Sequence, residues 1–257
     1  MIFRLANTTW MVGLTLVVLT TSVEAQVHPQ HAEQIRKAAQ AVKARVTPQR
    51  VPAVLIWNTP PHLMEKDPHK GYCIPYGEAG LKAIGQASGV FQPVVSDDIV
   101  VFTPENIKQF DAIVLNNASG PWITPTPTDM AKGALMQYGS DAHAVETVLR
   151  RSLLDFVEGG GGVVSIHYAI AANRHWPEFK ELFGATFTGH PWNEKIGVTV
   201  EEPDHPLVAA FDGNDFQITD EIYEYGAPYD RGRLRLSLIH ISEPTRLGML
   251  SRMPSSA

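Results

Sequence analysis

Short apolar segments alternate with helical patterns through the middle of this chain, and this alternation restricts the fold more than any other feature. Four segments are predicted as strands: 51–57, 91–95, 111–116 and 162–166. The first of them is apolar, nearly continuous and predicted to be buried. In the clearest of the helical patterns, over 145–157, apolar residues recur at the spacing of one helix face. Strands joined through helices pair in parallel by right-handed crossovers. The sequence therefore predicts an α/β fold with a doubly wound, mostly parallel, flavodoxin-like sheet.

Local signals refine this prediction. Thr103 followed by Pro104 is typical of a helix start, because threonine caps helices and proline fits the first helical position. Gly159 follows the clearest helical pattern and is predicted as a left-handed C-cap. The tripeptide GHP at 189–191 is predicted as a tight turn, and 204–207 as a surface turn before an apolar anchor.

The N-terminal residues have the layout of an export signal. Residues 1–25 carry one early charge, Arg4, then an apolar run, then small residues before the end of the segment. This order is typical of a secretory signal peptide cleaved after Ala25. The apolar run is short for a permanent membrane helix, although an uncleaved anchor is the alternative. We expect a periplasmic or secreted protein without a stable membrane anchor, with an N-terminal helix and linker over 26–50.

The C-terminal residues differ in character from the rest of the chain. Residues 236–257 closely resemble the conceptual translation of a sequencing-library adapter, both in LSLIHISEPTR and in SRMPSSA. A natural polar tail is the alternative. We interpret 236–257 as a non-native tail and expect it to make no contact with the domain. The domain at 51–235 is then incomplete, with its native C-terminus truncated near Arg235.

Charge and cysteine content restrict the possible partners. The chain has a net charge of −6 and a pI of about 5.9. It has no basic stripe that could neutralise phosphates, so we expect no nucleic-acid partner. The single cysteine, Cys73, cannot form an internal disulfide. These features do not predict an oligomeric state.

His167 stands at the end of the fourth predicted strand, before the next helical pattern. In open α/β sheets, ligands bind beyond the carboxyl ends of the strands, so His167 and the adjacent Tyr168 are predicted to lie at a ligand crevice. Backbone amides of this turn and the positive end of the next helix suit an anionic or hydroxyl-rich ligand. The alternative is a structural histidine that caps the strand. Strand position alone does not decide between the two.

Two acids near residue 220 are further candidates. Asp220 and Glu221 are adjacent and lie beside Tyr223. Adjacent residues on a strand point to opposite faces, so at most one of the two acids is expected to face a given pocket. Solvent exposure of both is the alternative, because aspartate and glutamate are mostly exposed in proteins.

Five motifs in the second half of the chain occur in an order typical of one family. They are GGGVVSIH at 160–167, WPEFKELFG at 176–184, GHP at 189–191, DHPL at 204–207 and DEIYEY at 220–225. Together they resemble the ThuA-like (trehalose utilisation) family over about 51–235. The resemblance implies a fold similar to class I glutamine amidotransferases, with His167 where those enzymes have a nucleophilic cysteine. Imidazole lacks the nucleophilicity of a thiolate, so no glutamine amidotransferase activity is expected.

The resemblance leads to a first hypothesis about function, an exported enzyme of carbohydrate metabolism that acts on trehalose or a ketosugar. His167 and His190 would be acid/base groups and Glu221 their carboxylate partner. The ligand-binding candidates are Tyr168, Trp192 and Asp220. A small-molecule carbohydrate is the expected partner.

Two other hypotheses stay open at this stage. One is a non-catalytic sugar-binding or accessory module that uses the same crevice, in which Trp57, Trp122 and Trp192 stack on sugar faces. The other is a zinc-dependent hydrolase in which His167, His190 and one acid bind the metal. The wide spacing of those ligands gives no local zinc signature, and no other cofactor is predicted.

Overall fold

The computed structural model describes two β-sheets, which follow one another along the chain, and helices packed around the first. It describes residues 27–42, 44, 47–67, 69–70, 73–230 and 232–241. The predicted signal peptide at 1–25 lies outside these ranges, as does the C-terminal segment beyond residue 241.

The first sheet consists of parallel strands in the order β2-β1-β3-β4. They are β1 (Ala53–Trp57), β2 (Gln92–Ser96), β3 (Ala112–Asn116) and β4 (Gly162–Ile166). Each strand lies where an apolar segment predicted one. Parallel pairing in this order is that of a flavodoxin-like sheet, so the predicted fold class is confirmed.

Helices connect these strands. They are α1 (Pro29–Ala41), α2 (Pro61–Met64), α3 (Cys73–Ser88), α4 (Pro127–Ala131), α5 (Ala142–Glu158) and α6 (Pro177–Phe183). The helix predicted over 145–157 is α5, which begins earlier because the Asp141 carboxylate accepts a hydrogen bond from the amide of Ala144 at 2.9 Å. Within the described ranges, no helix combines the length and the apolar composition needed to cross a membrane.

Helices cover both faces of the parallel sheet. On one face, Leu55 and Leu115 belong to a buried apolar cluster that includes Leu149 of α5. The alternate strand residues face the other way. On that second face Gly77 of α3 lies so close to the sheet that a Cβ there would be 2.1 Å from Oδ1 of Asn116. The sheet is therefore doubly wound, as predicted.

The second sheet is antiparallel and follows the first in the chain. It contains β5 (Thr186–Val200), β6 (Phe216–Gly226) and β7 (Leu238–Ile241) in the order β6-β5-β7. β5 and β6 are long and pair over most of their length. The sequence analysis did not predict β5, and of β6 it placed only the acids at 220 and 221 on a strand.

The predicted tight turn at 189–191 is wrong, because these residues lie inside β5. The pairing of β5 with β6 is irregular there, with register shifts between Phe187 and Gly189 and between Gly189 and Trp192. Proline has no N–H to donate to a ladder, so Pro191 in a strand is accommodated by such an irregularity. The motif therefore marks a bulged strand instead of a turn.

The C-terminal segment contacts the domain in part. Residues 238–241 form β7 and pair with β5, in a register that places Leu238 beside Val200. The expectation that 236–257 makes no contact with the domain is therefore wrong for these residues. The adapter-like origin of the segment stays a prediction.

Three smaller predictions also differ from the structure. The Thr103 hydroxyl donates back to the carbonyl of Val100 at 3.0 Å and closes a preceding 3₁₀ turn, so no helix begins at Pro104. The left-handed residue after α5 is Gly160, with φ of +97°, instead of Gly159. Leu207 is 82% exposed and anchors nothing.

Replacing Gly77 with alanine is expected to destabilise the fold, because the new methyl group would collide with the buried Asn116 side chain. Overpacking of this kind costs about 1–3 kcal/mol. Gly80 in the same helix has open space around its Cβ position, so Gly80→Ala is the matched control and should stabilise by up to about 1 kcal/mol. Urea denaturation of both variants measures the difference. If Gly77→Ala and Gly80→Ala are equally stable, the close approach of α3 to β3 is contradicted.

Candidate active site

His167 begins a sharp turn at the end of β4. Its backbone φ is +51°, in the left-handed region that costs a residue with a Cβ about 1–2 kcal/mol. A 3₁₀ turn follows over His167–Ala171, and the next α-helix starts only at Pro177. The side chain is 33% exposed. The strand therefore ends in an elbow that presents the imidazole at the crevice.

Asn117 forms a second elbow beside the first. It follows β3 directly and has a φ of +53°. Its Oδ1 lies 2.8 Å from Nδ1 of His167. Sequence reasoning missed Asn117, although its place after a predicted strand could have indicated it, since asparagine tolerates the left-handed conformation better than most residues.

β6 supplies the groups on the other side of the His167 ring. The Tyr223 hydroxyl lies 2.6 Å from Nε2 of His167, and Oε2 of Glu221 lies 3.2 Å from the same nitrogen. Glu221 and Tyr223 are two residues apart on one strand, so they share a face. The structure thus brings the predicted pair His167 and Glu221 together.

One tautomer of the neutral His167 ring satisfies the contacts with Asn117 and Tyr223. The Asn117 carbonyl oxygen accepts, so Nδ1 carries a proton and the neutral ring has its lone pair on Nε2. The Tyr223 hydroxyl then donates to Nε2. When Nε2 takes up a proton, the Glu221 carboxylate is in place to accept a charge-assisted hydrogen bond from it. The arrangement suits proton transfer at Nε2.

Burial raises the pKa of the Tyr223 hydroxyl, and the negative charge of Glu221 raises it further. The phenol therefore stays protonated at neutral pH. A protonated Tyr223 is the donor that the neutral His167 ring requires.

A second imidazole lies against the first. The rings of His69 and His167 are 5.1 Å apart and nearly perpendicular, at 88°. His69 comes from the loop between α2 and α3 and is buried, at 8% exposure. Its ring is also 5.1 Å from that of Tyr168. Sequence reasoning did not select His69, because α2 separates it from the end of β1 and the strand-end rule that selected His167 does not reach it.

Asp67 fixes His69 and the surrounding loops. Its Oδ1 accepts from the backbone N–H of His69 at 2.8 Å and lies 2.9 Å from the ring Nδ1. Its Oδ2 accepts from the hydroxyls of Thr59 at 2.8 Å and Ser119 at 2.7 Å. Thr59 follows β1 and Ser119 follows β3, so one buried carboxylate joins two strand-end loops.

Hydrogen bonds keep Asp67 ionised. Burial by itself would raise the pKa of this carboxyl. The bonds donated by the His69 backbone, Ser119, Thr59 and the His69 ring outweigh burial and bring the pKa below its ordinary value. The carboxylate is therefore charged at neutral pH.

The other predicted site residues are His190, Tyr168 and Trp192. His190 on β5 stacks on Tyr223, with ring centroids 5.9 Å apart and planes at 22°. Tyr168 packs between His69 and Phe187. Trp192 is 37% exposed on β5, across from Ile222.

Trp57 and Trp122 are fully buried in the apolar cluster beneath the sheet. They contact one another at 5.4 Å between ring centroids. The hypothesis that these two stack on a sugar is therefore wrong, because a ligand cannot reach them. Trp192 alone of the three is accessible.

A cleft of about 380 Å³ opens beside His167. Its lining comes from β4, the elbow, α6 and β6: Val163, Ser165, His167, Ile170, Phe183, Asp220, Glu221, Tyr223 and Tyr225. Both acids line it, so the expectation that only one would face a pocket is wrong. The Asp220 carboxylate bends along its own strand and accepts from the amide of Glu221 at 2.8 Å, which keeps it on the cleft side.

The metal hypothesis lacks a ligand set. Among the described residues, no three His, Cys, Asp or Glu side chains are grouped so that they could hold a metal ion. His167 instead uses both ring nitrogens in hydrogen bonds within the protein.

Comparison of His167→Gly with His167→Ala should measure the backbone strain at the elbow. Both variants remove the ring, but only glycine adopts a φ of +51° without cost, so His167→Gly is expected to be more stable by about 1 kcal/mol. At Thr147, an exposed position in α5, the order should reverse, because glycine weakens a helix. Thermal or urea unfolding of the four variants tests this. If His167→Ala is the more stable of the two variants at this position, the elbow is not strained.

Asp67 is expected to make stability depend on pH in acid. Its pKa is lowered in the folded state from the ordinary value of 3.8, so its contribution is complete above about pH 4 and is lost as the pH falls through the lower folded value. Asp67→Asn should cost about 1–3 kcal/mol at neutral pH, because buried donors lose a charged acceptor. The variant should also lose less stability than the wild type on acidification.

Urea denaturation across this pH range measures both effects. Asp204→Asn is the control, because Asp204 is exposed. This variant should keep the wild-type dependence of stability on pH. An unchanged acid profile in Asp67→Asn would show that Asp67 is not the responsible carboxylate.

Comparison with known proteins identifies the family. The family model for trehalose utilisation (ThuA) matches residues 53–256, a range that includes the adapter-like segment. Among solved structures, the chain is similar to a protein from Bacteroides uniformis described as ThuA-like, with a TM-score of 0.47 and 20% identity. That similarity covers 72% of this chain and 66% of the other, so about a third of the Bacteroides protein has no counterpart here. No curated protein matches the chain.

The family match covers most of the chain and includes every motif from which the resemblance was drawn. The chain belongs to the ThuA family of trehalose utilisation proteins.

Proposed function

We propose that this protein is an exported ThuA-family enzyme that acts on trehalose or a ketosugar derived from it, by proton transfer at His167. The observation that carries the proposal is the environment of that ring. Asn117 accepts from Nδ1, and Tyr223 and Glu221 meet Nε2. A base for proton transfer needs a fixed tautomer and a partner for the charge it gains, and these contacts provide both.

The cleft suits a carbohydrate. Its lining combines carboxylates that accept from sugar hydroxyls, Asp220 and Glu221, with the aromatic rings of Tyr223 and Tyr225. Tyrosine rings pack against the C–H faces of sugars and keep a hydroxyl for hydrogen bonding. Small-molecule sites commonly have volumes of about 300–1,000 Å³, and this cleft lies within that range.

His190 has a supporting place in this proposal. Its ring stacks on Tyr223 and lies 5.8 Å from Phe187, so it forms part of an aromatic wall behind the donor to His167. We assign His167 the role of base and Glu221 that of charge partner. His190 then keeps Tyr223 in position.

Export is the second part of the proposal. Residues 1–25 have the order of a secretory signal peptide, and a disaccharide-processing protein is useful where sugars enter the cell. The proposed activity belongs to the mature protein, which begins at or near residue 26.

His167→Ala is expected to lower turnover of trehalose or its keto derivative about a hundredfold or more, the usual cost of losing an acid/base group. His143→Ala is the matched control, since His143 is exposed in the first turn of α5. Steady-state kinetics measure turnover, and calorimetry measures binding. The ring is partly exposed, so the stability change should be about 1 kcal/mol or less.

Three outcomes separate the possibilities. Loss of turnover with the fold intact supports the proposal. Binding of the sugar without turnover in the wild type would favour a non-catalytic sugar-binding module. A destabilised His167→Ala with unchanged sugar affinity and turnover would end the active-site interpretation of His167.

A further inference from the structure

The cleft beside His167 carries charge of one sign. Two of its lining residues are acids, Asp220 and Glu221, and none of its described lining residues is a lysine or an arginine. Both acids are accessible, since Asp220 is exposed and the Glu221 side chain is 34% exposed. A ligand that enters the cleft therefore meets negative charge that it can contact directly.

No lysine or arginine in the described part of the chain pairs with either acid. Glu221 lies 3.2 Å from Nε2 of His167, and Asp220 accepts from the amide of Glu221. The His167 ring is neutral in the tautomer that satisfies its contacts with Asn117 and Tyr223. The charges of both carboxylates are therefore available to a ligand.

The two charges act across the cleft. Burial raises the pKa of the Tyr223 hydroxyl, and the negative charges of Glu221 and Asp220 raise it further. The field of both acids thus reaches a hydroxyl group that lines the same cleft. Negative potential of this kind disfavours an anionic ligand and favours a cationic one.

The elbow at His167 is not followed directly by an α-helix. Sequence reasoning expected the positive end of the next helix to suit an anionic or hydroxyl-rich ligand at this turn. The residues after His167 form a 3₁₀ turn instead, and α6 starts only at Pro177. The dipole effect of a helix falls off within its first turn, so α6 adds little positive potential at the elbow. Of the two expected ligand types, the cleft suits the hydroxyl-rich one.

Two tyrosine rings add a preference for positive charge. Tyr223 and Tyr225 line the same cleft, with ring centroids 6.4 Å apart. The faces of aromatic rings attract ammonium groups. Carboxylates beside such rings can therefore bind an amine as well as hydroxyl groups.

We propose that this cleft selects its ligand by charge: it takes an uncharged sugar, binds a sugar with a protonated amine more tightly, and excludes sugar phosphates and sugar acids. Asp220 and Glu221 are the residues that determine this specificity. The choice of a sugar rests on the proposed function, whereas the charge preference follows from the lining of the cleft.

Three ligands that differ at one position measure this preference: trehalose, trehalose 6-phosphate and 6-amino-6-deoxytrehalose. In calorimetric titrations of the full chain at neutral pH and low salt, we expect the phosphate to bind about tenfold more weakly than trehalose, or worse, and the amine to bind several-fold more tightly. In about 1 M salt these differences should shrink, because the screening length falls to about 3 Å. Equal affinities for the three ligands, or tightest binding of the phosphate, would overturn the proposal.

Isosteric variants test whether the two acids cause the effect. Asp220→Asn and Glu221→Gln each remove one charge and keep the shape of the side chain. Each should narrow the affinity ratio between the amine and the phosphate by about fivefold or more, and the double variant should nearly abolish it. Urea denaturation verifies that the variants are folded. If one is not, the wild-type series at low and high salt still decides the question.

Asp204→Asn is the matched control. It also removes one negative charge from the chain, but Asp204 is exposed and does not line the cleft, so the variant should keep the wild-type ratio. If the ratio falls equally in Asp204→Asn and in the two cleft variants, the net charge of the chain is responsible and the proposal is wrong.

The two proposals can fail separately. If trehalose is turned over and the three ligands bind without discrimination, the charge selectivity is wrong and the proposed function stands. If the charge order is observed without turnover, the proposed enzyme fails and the charge selectivity stands. If none of the three binds, glucose, glucosamine and glucuronate form a smaller series with the same charges. Absence of the expected order in that series would overturn the charge selectivity as well.

Discussion

The register between β3 and β4 is the constraint on which the site depends. Asn116 pairs with Ile166, so the next residue of each strand, Asn117 and His167, leaves the sheet at the same level. Both residues have φ near +50°, and their side chains meet at 2.8 Å. A shift of one residue would turn every side chain of the strand to the other face and separate this pair. The contact between Asn117 and His167 therefore depends on strand pairing.

A buried polar cluster under the crevice sets the position of α3. Asn116 donates to Oδ1 of Asn58 at 2.8 Å and to the carbonyl of Ile74 at 2.9 Å. Asn58 in turn donates to the carboxylate of Glu78 on α3 at 2.7 Å. Buried polar groups are costly unless they are bonded, so this cluster permits few alternative arrangements. The close approach at Gly77 follows from the same requirement.

The parallel half of the fold was predictable because its signals are local. Strands β1 and β3 are short apolar runs that end buried, and the apolar residues of α5 recur at helical spacing, so period and length are enough to identify them. The rule that ligands bind at the carboxyl ends of strands then selected His167. The family resemblance agreed with these signals, and it also pointed to the acids on β6.

The rest of the site depends on contacts between distant residues. Glu221 lies 54 residues from His167 in the chain, and Asn117 lies 50 residues from it. No local pattern reports that a strand such as β6 returns to the elbow. The GHP motif was misassigned for a related reason, because glycine and proline signal a turn unless a partner strand absorbs the irregularity as a bulge.

The two ring nitrogens of His167 contact residues that belong to different sheets, so the ring links the two sheets. Asn117, at the end of the parallel sheet, holds Nδ1, while Tyr223 and Glu221, on the antiparallel sheet, meet Nε2. A proton carrier needs such partners, because they stabilise the ring in each protonation state. The proposed proton transfer at His167 therefore depends on both sheets, because each of them supplies a partner for one ring nitrogen.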